Sequence, residues 1–301
     1  MDSLTVQAFA KINLTLDVFN KRSDGYHSLA SVMQTISLHD TIEITALPTP
    51  DIELECEGDT APGVPADASN LVWRAARSVL DVAQCESGLR IRLRKQIPSQ
   101  AGLGGGSSDA AATLLGVTTL FGFAIGPKLL HELAVKLGSD VPFFLLGGTA
   151  VVRGIGDNLS PIADVPPIFL VIVKPEANVS TAWAYGALDA IVERSSNRAT
   201  KQMEAAIKES DVSRIIRGQS NDFESVVFRE VPAIGWLRDE LQMAGARVAH
   251  LCGSGSAVYG VADDEAHAER VAALIRKRYQ AVWVARTLSR VEANPLREPV
   301  E

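Results

Sequence analysis

The hydrophobic pattern in the first half of the chain predicts a β-rich start followed by helices. Residues 4–19 alternate well enough for a pair of strands or one long bent strand. Residues 70–84 carry apolar side chains at helical spacing, with Ser69 or Asn70 as the N-terminal cap. The other elements predicted here are two short strands within 42–55, a strand at 89–93, and helices at 107–120 and 127–137, the last ended by Gly138.

The second half shows a similar mixture after a change in composition. Residues 157–167 gather turn formers between two apolar runs, so we place a boundary there, between a lobe of residues 1–160 and a lobe of residues 161–301. The elements predicted in the second lobe are strands at 168–173, 247–252, 257–261 and 281–288, and helices at 181–192, 199–210, 231–244 and 264–278. Strands and helices do not alternate strictly, which predicts an α+β fold with antiparallel or mixed sheets covered by helices.

Composition and charge narrow the class of protein. A chain of 301 residues with 47% hydrophobic residues can bury a full core. Its net charge of −7 is spread without acidic or basic runs, which argues against nucleic acid or an anionic membrane and favours a small molecule bound locally. With no leader, no run of about 18 apolar residues and no C-x-x-C spacing, we expect a soluble, cytoplasmic protein with reduced thiols. Monomer and homodimer both remain open.

The most informative stretch is PSQAGLGGGSSDAAA at residues 98–112. Its glycines let the backbone take positive φ and approach a ligand closely, and we expect Ser107 and Ser108 to open the helix that follows. The first helical turn then presents unpaired amides and the positive end of the helix dipole. Such an arrangement is typical of a cradle for a polyphosphate.

Commoner glycine-rich motifs do not match this stretch. A Walker A loop needs Gly-Lys before Ser or Thr, and no lysine lies between Lys95 and Lys128. A dinucleotide fingerprint needs a third glycine where Ser107 stands and an acidic residue about 20 positions on, so an NAD-dependent oxidoreductase is disfavoured. A flexible linker is the plain alternative, but the apolar helix that follows is not linker-like.

Four ordered blocks of the sequence resemble one family. The pattern Pro-x-x-x-Gly-Leu-Gly with trailing Gly-Ser-Ser, at 98–108, is similar to the phosphate loop of the GHMP kinases, which include galactokinase, homoserine kinase and mevalonate kinase. AKINLTLDVFNKRSDGYHSLASVMQTISLHD, at 10–40, resembles one branch only, the 4-diphosphocytidyl-2-C-methyl-D-erythritol kinases. LGSDVPFFLLGGTAVVRGIGDNLSPI at 137–162 and LCGSGSAVYG at 251–260 are similar to later blocks of that branch, so the resemblance spans nearly the whole chain.

The resemblance implies a two-lobed fold with the active site in the cleft between the lobes. It implies ATP-dependent phosphorylation of the 2-hydroxyl of 4-diphosphocytidyl-2-C-methyl-D-erythritol, giving the 2-phosphate and ADP in the non-mevalonate route to isoprenoid precursors. Mg²⁺ is expected to bridge the β- and γ-phosphates, with ligands unassigned apart from a contact to Ser107 or Ser108. The nucleotide-binding residues are then Asn70, Pro98, Gly102, Leu103, Gly104, Gly105, Gly106, Ser107 and Ser108.

Two residues are the candidates for catalysis. Asp140 follows a helix-ending glycine and precedes a proline, where sequence alone allows an ordinary N-cap aspartate, but the resemblance makes it the base that accepts the hydroxyl proton. Lys11 and Asn13 fall on one face of a predicted strand. By resemblance Lys11 supports Asp140 and Asn13 fixes the substrate, whereas a solvated lysine on an edge strand is the alternative.

The acceptor site is expected from two further segments. By resemblance, Tyr26 and His27 in DGYH bind the cytosine ring, although the letters alone also fit a plain hairpin turn. Tyr185 is expected to stack on the ring from the other lobe, with Trp183 as a competing candidate, and Met33 stands where several relatives are expected to carry an aromatic residue.

Two smaller segments could contact the ligands from either end. Gly253 and Ser254 lie in a second glycine turn whose amides could meet the substrate phosphates, with a tight hairpin as the alternative. Trp73 lies near the expected adenine segment but could equally pack in the core.

Two rival functions are compatible with the same phosphate loop. One is a kinase of another small alcohol, such as homoserine or mevalonate, against which the DGYH block argues. The other is a regulator on a kinase scaffold that binds nucleotide without turnover, against which the presence of both Lys11 and Asp140 argues.

Overall fold

The computed structural model describes residues 2–191 and 199–296, which form two β-sheets with helices packed against them. The strands are β1 Ser3–Lys21, β2 His27–Leu47, β3 Ile52–Glu57, β4 Gly88–Arg94, β5 Thr149–Gly154, β6 Asn158–Pro161, β7 Phe169–Val173, β8 Ser220–Asn221, β9 Ala249–Leu251, β10 Val258–Ala262 and β11 Val282–Arg286. The helices are α1 Leu71–Val82, α2 Gly105–Phe121, α3 Pro127–Leu137, α4 Val141–Leu146, α5 Thr181–Asp189, α6 Ala199–Lys208, α7 Val212–Arg217, α8 Glu224–Glu230, α9 Pro232–Met243 and α10 Glu265–Ile275.

The first sheet is built on the long antiparallel hairpin of β1 and β2. Strand β2 pairs with β5 through residues 29–34 and with β4 through residues 41–47. The sheet order is β3-β4-β2-β1-β8, with β5 on β2 and β6 on β5. Because β3 pairs with β4 and β8 with β1 in parallel, this sheet is mixed.

The second sheet has the order β11-β7-β10-β9 and is antiparallel throughout. Together the two sheets confirm the predicted α+β class with antiparallel and mixed sheets. All strands before residue 162 belong to the first sheet, but β8, from the second half, joins it as well. The division at residue 160 therefore stays a prediction about lobes. Within the described ranges, no helix combines the length and apolar character needed to cross a bilayer.

Several elements differ from the prediction. Residues 4–19 form one long strand, which is one of the two predicted alternatives. Of the two short strands predicted within 42–55, the first is the end of the 21-residue strand β2 and the second is β3. Helix α2 begins at Gly105 rather than Ser107. Polar residues that are buried inside β2, such as Ser31, Gln34 and Thr35, hid its alternation. The elements missing from the prediction are α4, β5, β6, α7, β8 and α8, mostly too short to show a period. Residue 192, predicted to end the helix at 181–192, lies outside the described residues.

Helix α2 is buried on almost all sides and contacts α1, α4 and the β1–β2 hairpin. Its alanines at 110, 111 and 112 and the side chains of Leu114 and Val117 are at most 1% exposed. A helix that is apolar all round belongs inside a core, and each large buried side chain contributes roughly 1.5–3 kcal/mol. This burial fixes the direction of the helix, and the position of its N-terminus is therefore fixed as well.

The glycine-rich loop before α2 lies between the two sheets. The Lys11 amide on β1 donates to the Leu103 carbonyl at 3.0 Å, and the Ala257 amide donates to the Ala101 carbonyl at 3.3 Å. Gly102 has φ +74°, and a Cβ there would lie 1.8 Å from the Cys252 carbonyl oxygen. Only glycine fits such an approach, so the loop is held against both lobes by its backbone.

A buried charge cluster supports the chain where it enters this loop. Lys95 donates to Asp40 at 2.5 Å and to Asp109 at 2.6 Å. The other oxygen of Asp40 accepts from the backbone amides of Gln96 and Ile97, whereas Oδ1 of Asp109 is buried without a partner. Burial and the nearby Asp40 raise the pKa of Asp109 well above its usual range despite Lys95. The two carboxylates overcome burial and raise the pKa of Lys95, which stays an ammonium.

We expect the two carboxylates of this cluster to tolerate neutralisation differently. Asp40→Asn replaces an acceptor of three hydrogen bonds and should lower the free energy of unfolding by about 3 kcal/mol. Asp109→Asn should cost only about 1 kcal/mol, because the Asp109 carboxylate accepts one hydrogen bond, from Lys95, and an amide oxygen can accept it as well. Urea unfolding of both variants is the measurement. Equal losses would contradict the assignment of Asp40 as the anchor.

One amide side chain joins β8 to the second glycine turn. Asn221 is buried and donates to the carbonyls of Leu251 at 3.0 Å and Gly253 at 2.7 Å, while its oxygen accepts from the Phe223 amide at 3.0 Å. The two donated bonds hold the carbonyl groups on either side of Cys252, and the accepted bond ties the side chain to the start of α8. Asn221 thus fixes the turn against which the glycine-rich loop packs.

Asn221→Ala should therefore lower the free energy of unfolding by about 2–4 kcal/mol, because it leaves two carbonyls and one amide without their partner. Asn178→Ala is the matched control, since Asn178 is exposed and accepts a single bond from Lys174. That control should stay within about 0.5 kcal/mol of the unsubstituted protein. Urea unfolding followed by circular dichroism measures both, and a similar small loss in the two variants would refute the role of Asn221.

Candidate active site

A cleft of about 1250 Å³ lies between the β1–β2 hairpin, the glycine-rich loop and α5. It brings together most of the residues predicted to form the site, which are Lys11, Asn13, Tyr26, His27, Pro98, Gly102, Leu103, Gly104, Gly105, Gly106, Ser107, Asp140, Tyr185, Gly253 and Ser254. Asn70 and Ser108 are not among its lining residues. Segments far apart in sequence thus converge on one volume large enough for two ligands of moderate size.

Lys11 and Asn13 begin a chain of polar contacts on one face of β1. The Lys11 ammonium donates to Oδ1 of Asn13 at 2.7 Å, and Asn13 donates to the Ser31 hydroxyl on β2 at 2.8 Å. Ser31 in turn donates to the Thr15 carbonyl at 2.6 Å. Lys11 is only 5% exposed, so it is not the solvated edge-strand lysine that the sequence also allowed. The prediction from strand alternation that Lys11 and Asn13 lie on one face of β1 is therefore confirmed.

Burial is the main influence on the charge of Lys11. It lowers the pKa of the ammonium below its ordinary value, while attraction to Asp140 and to a Cys252 thiolate acts in the opposite direction. Burial also raises the pKa of the Cys252 thiol to about 12. Because that thiol is neutral near pH 7, Asp140 is the neighbour that stabilises the ammonium there.

Asp140 stands at the N-cap position of α4, yet its side chain accepts no capping hydrogen bond from that helix. The ordinary N-cap function that the sequence also allowed is therefore not realised. Its half-buried carboxylate lines the cleft and acts electrostatically on Lys11 and on Tyr185. A carboxylate that faces a cleft beside a buried lysine is suited to accept a proton from a bound hydroxyl.

The glycine-rich loop ends in a left-handed residue that starts α2. Gly104 has φ +74°, and a Cβ there would lie 2.6 Å from the Phe144 ring. The helix has no side-chain cap, which corrects the expectation that Ser107 and Ser108 open it. Ser107 lines the cleft, whereas Ser108 is buried and donates to the Phe9 carbonyl at 2.6 Å. The first-turn amides are thus left to a ligand, as a phosphate cradle requires.

The segment expected near the nucleotide base is arranged differently from the prediction. The Asn70 side chain caps α1 by accepting from the Val72 amide at 2.9 Å, and it donates to the Pro65 carbonyl at 2.6 Å. Trp73 is half-buried and donates to the Ile52 carbonyl at 3.3 Å, and it does not line the cleft. Both side chains therefore support the packing of α1, and a ligand contact by Asn70 stays a prediction.

The other end of the cleft is aromatic. The rings of His27 and Tyr185 are stacked with centroids 4.9 Å apart, and Phe223 meets Tyr185 edge-on at the same distance. Tyr26 is 63% exposed at the rim. Of the two aromatic candidates in the second lobe, Tyr185 lines the cleft and Trp183 does not. A planar ligand entering here would meet ring faces on which it can stack.

The second glycine turn closes the cleft between these ends. Gly253 lies against Lys11, since a Cβ there would come within 3.3 Å of its ammonium nitrogen. The Ser254 and Thr181 hydroxyls are 2.9 Å apart, which links the turn to the first residue of α5. The turn belongs to the cleft wall, so it is not merely a tight hairpin.

In the described part of the chain, no group of three or more His, Cys, Asp or Glu side chains could hold a metal ion. This donor set fits an ion carried by the phosphates of a nucleotide, and Asp140 and Ser107 are oxygen-bearing side chains that line the cleft. It does not fit a cage built by the protein alone.

Lys95, Thr181 and Asp189 are among the polar residues that line the cleft and that sequence reasoning missed. Lys95 lies three residues before the predicted loop, and this closeness to the expected phosphate site could have identified it as a candidate. Asp189 gave no such signal, because its partner His27 is 162 residues away.

Comparisons with known proteins agree with this site. The GHMP kinases N terminal domain matches residues 70–148, and GHMP kinases C terminal matches residues 203–281. The 4-diphosphocytidyl-2-C-methyl-D-erythritol kinase of Geobacter sulfurreducens is 41% identical over 96% of this chain and 100% of its own, and that of Moorella thermoacetica is 43% identical over the same shares.

A crystal structure of 4-(cytidine 5'-diphospho)-2C-methyl-D-erythritol kinase superposes with a TM-score of 0.79 and 34% identity, covering 94% of this chain and 99% of that one. Sequence and fold thus agree along nearly the whole chain, as the four sequence blocks predicted. The protein is an ATP-dependent small-molecule kinase with the two-lobed fold of its relatives. The chain belongs to the GHMP kinase family, in the branch of the 4-diphosphocytidyl-2-C-methyl-D-erythritol kinases.

Proposed function

We propose that this kinase transfers the γ-phosphoryl group of ATP to the 2-hydroxyl of 4-diphosphocytidyl-2-C-methyl-D-erythritol, giving the 2-phosphate and ADP. The enzyme would then supply the methylerythritol phosphate pathway of isoprenoid biosynthesis. The observation that carries the proposal is the aromatic end of the cleft, where His27 and Tyr185 stack beside the buried Lys11 and the Asp140 carboxylate. Relatives of this name at 41–43% identity support the same substrate.

The acceptor hydroxyl would lie between Asp140 and the phosphate loop. Its oxygen attacks the γ-phosphorus as the bond to the β-phosphate oxygen breaks, and Asp140 takes the hydroxyl proton. Lys11 lies against this point, fixed by Asn13, and its positive charge orients Asp140 and stabilises the alkoxide character of the attacking oxygen. The amides of the first turn of α2 hold the phosphates.

Mg²⁺ is part of the proposal as an ion that accompanies ATP. It would neutralise charge on the β- and γ-phosphates, with Ser107 and Asp140 as the protein groups within the cleft that could contact it. Tyr26 and His27 would bind the cytosine ring, Tyr185 would stack on it, and Gly253 and Ser254 would meet the diphosphate. Met33 lines the cleft, so the wall there is aliphatic rather than aromatic.

The direct test is the release of ADP by the purified protein with ATP, Mg²⁺ and one acceptor at a time. The acceptors are the cytidyl compound, mevalonate and homoserine. Turnover with the cytidyl compound alone is the expected result. Turnover with one of the other alcohols would overturn the assignment of the aromatic end, and tight ATP binding without any turnover would favour a nucleotide sensor.

Asp140→Asn should lower kcat by about a hundredfold or more, because a positioned general base contributes roughly 10²–10⁴ to the rate. Nucleotide affinity should change little, since the amides that hold the phosphates remain. Single-turnover kinetics and calorimetric titration with a non-hydrolysable ATP analogue measure the two effects. Asp239→Asn, an exposed carboxylate on α9, is the control that removes the same charge elsewhere. An unchanged kcat in Asp140→Asn would rule out the proposed base.

A further inference from the structure

A hydrogen bond between side chains links β2 to α5 at the aromatic end of the cleft. Nε2 of His27, at the start of β2, lies 2.7 Å from Oδ1 of Asp189, the last residue of α5. The His27 side chain is 5% exposed and that of Asp189 is 29% exposed. Both residues line the cleft, so the pair is part of the acceptor site rather than a remote contact.

The chemistry of the pair restricts the protonation of the ring. An ionised carboxylate only accepts hydrogen bonds, so Nε2 of His27 must carry the hydrogen that lies between the two groups. In a neutral imidazole this leaves Nδ1 as an acceptor with a free lone pair. The carboxylate therefore determines which hydrogen-bonding edge the ring can offer to a ligand.

The surroundings of the pair hold the ring in one orientation. Tyr185 covers one face of His27 at an interplanar angle of 23°, and Phe223 supports Tyr185 at 89°. A partial rotation of the ring about its Cβ–Cγ bond would lose the stacking, and a half-turn would move Nε2 away from Asp189. The edge that carries Nδ1 is consequently the one left for recognition.

A lysine also lies near the Asp189 carboxylate but is the weaker of the two partners. The Lys21 ammonium is 3.8 Å from Oδ2 of Asp189, and its side chain is 56% exposed. Exposed pairs at this distance contribute little because water screens them. Of these two contacts, the one to His27 is the shorter and the better buried, so it constrains the orientation of that ring more strongly than that of Lys21.

We propose that Asp189 is a positioning residue that fixes the orientation and the Nε2–H tautomer of His27 and so determines affinity for the pyrimidine base of the acceptor. This inference rests on the proposed function for the identity of the acceptor. Asp189 acts through His27 and has no part in phosphoryl transfer, so it should affect binding of the acceptor and leave the chemical step unchanged.

Two substitutions separate this role from a merely structural contact between α5 and β2. Asp189→Ala removes the acceptor of the Nε2 hydrogen. Asp189→Asn keeps the shape, but its amide can donate to Nε2 as well as accept from it, so the tautomer is no longer fixed. Glu176→Gln is the matched control, because it removes one exposed carboxylate from the segment that leads into α5 and lies outside the cleft.

We expect both Asp189 variants to raise KM for the cytidyl substrate about tenfold or more, while kcat and KM for ATP stay within about twofold. The control should change none of the three. In the unsubstituted protein, nitrogen-15 NMR of selectively labelled histidine should show His27 with hydrogen on Nε2, and this signature should be lost or mixed in both variants. His27→Ala identifies the resonance.

Two results would overturn the proposal. One is a His27 resonance with hydrogen on Nδ1 alone in the unsubstituted protein. The other is an unchanged KM for the cytidyl substrate in both variants, even if their thermal stability falls, since that is what a structural contact predicts. If the unsubstituted protein does not turn over the cytidyl compound at all, the proposed function fails, and the NMR comparison still decides whether Asp189 fixes the ring.

Discussion

The backbone contact between Gly102 and the Cys252 carbonyl is the constraint on which the site depends. A Cβ at residue 102 would lie 1.8 Å from that oxygen, so the loop and the turn meet without any side chain between them. The loop is also hydrogen-bonded to β1 through Leu103, and the turn is held by Asn221. Phosphate loop, Lys11 and the acceptor wall are thereby fixed relative to one another, as preorganised catalysis requires.

Two of the lysines that line the cleft show how surroundings determine the role of a charge. Lys95 lies between two buried carboxylates, which raise its pKa, and it supports the backbone that enters the loop. Lys11 bonds to a neutral amide and lies near one carboxylate, and burial lowers its pKa. An ammonium without a close anionic partner gains most when negative charge develops beside it, which suits Lys11 to the transition state and Lys95 to structure.

The sequence alone predicted those features that depend on a repeating pattern or on residues close together in the chain. The helical spacing at 70–84, the alternation that placed Lys11 beside Asn13 and the glycine run before α2 are properties of this kind. The buried polar residues of β2 broke its alternation because they bond to groups on other elements, as Ser31 does with Asn13. The roles of Asp189 and Asn221 could not be predicted from the sequence for the same reason, since the fold determines which groups they contact.

The arrangement also separates two kinds of recognition. In the proposed mode of binding, the amides of α2 and the loop would contact only phosphates, whose shape is the same in every nucleotide triphosphate. This part of the cleft would then carry no information about the acceptor. Discrimination between acceptors must therefore come from the side chains at the far end, on β2 and α5. These two elements are joined across the cleft by the contacts of His27 with Asp189 and Tyr185. A change of acceptor in this fold would accordingly require changes in β2 and α5 together, while the phosphate loop and Asp140 could remain as they are.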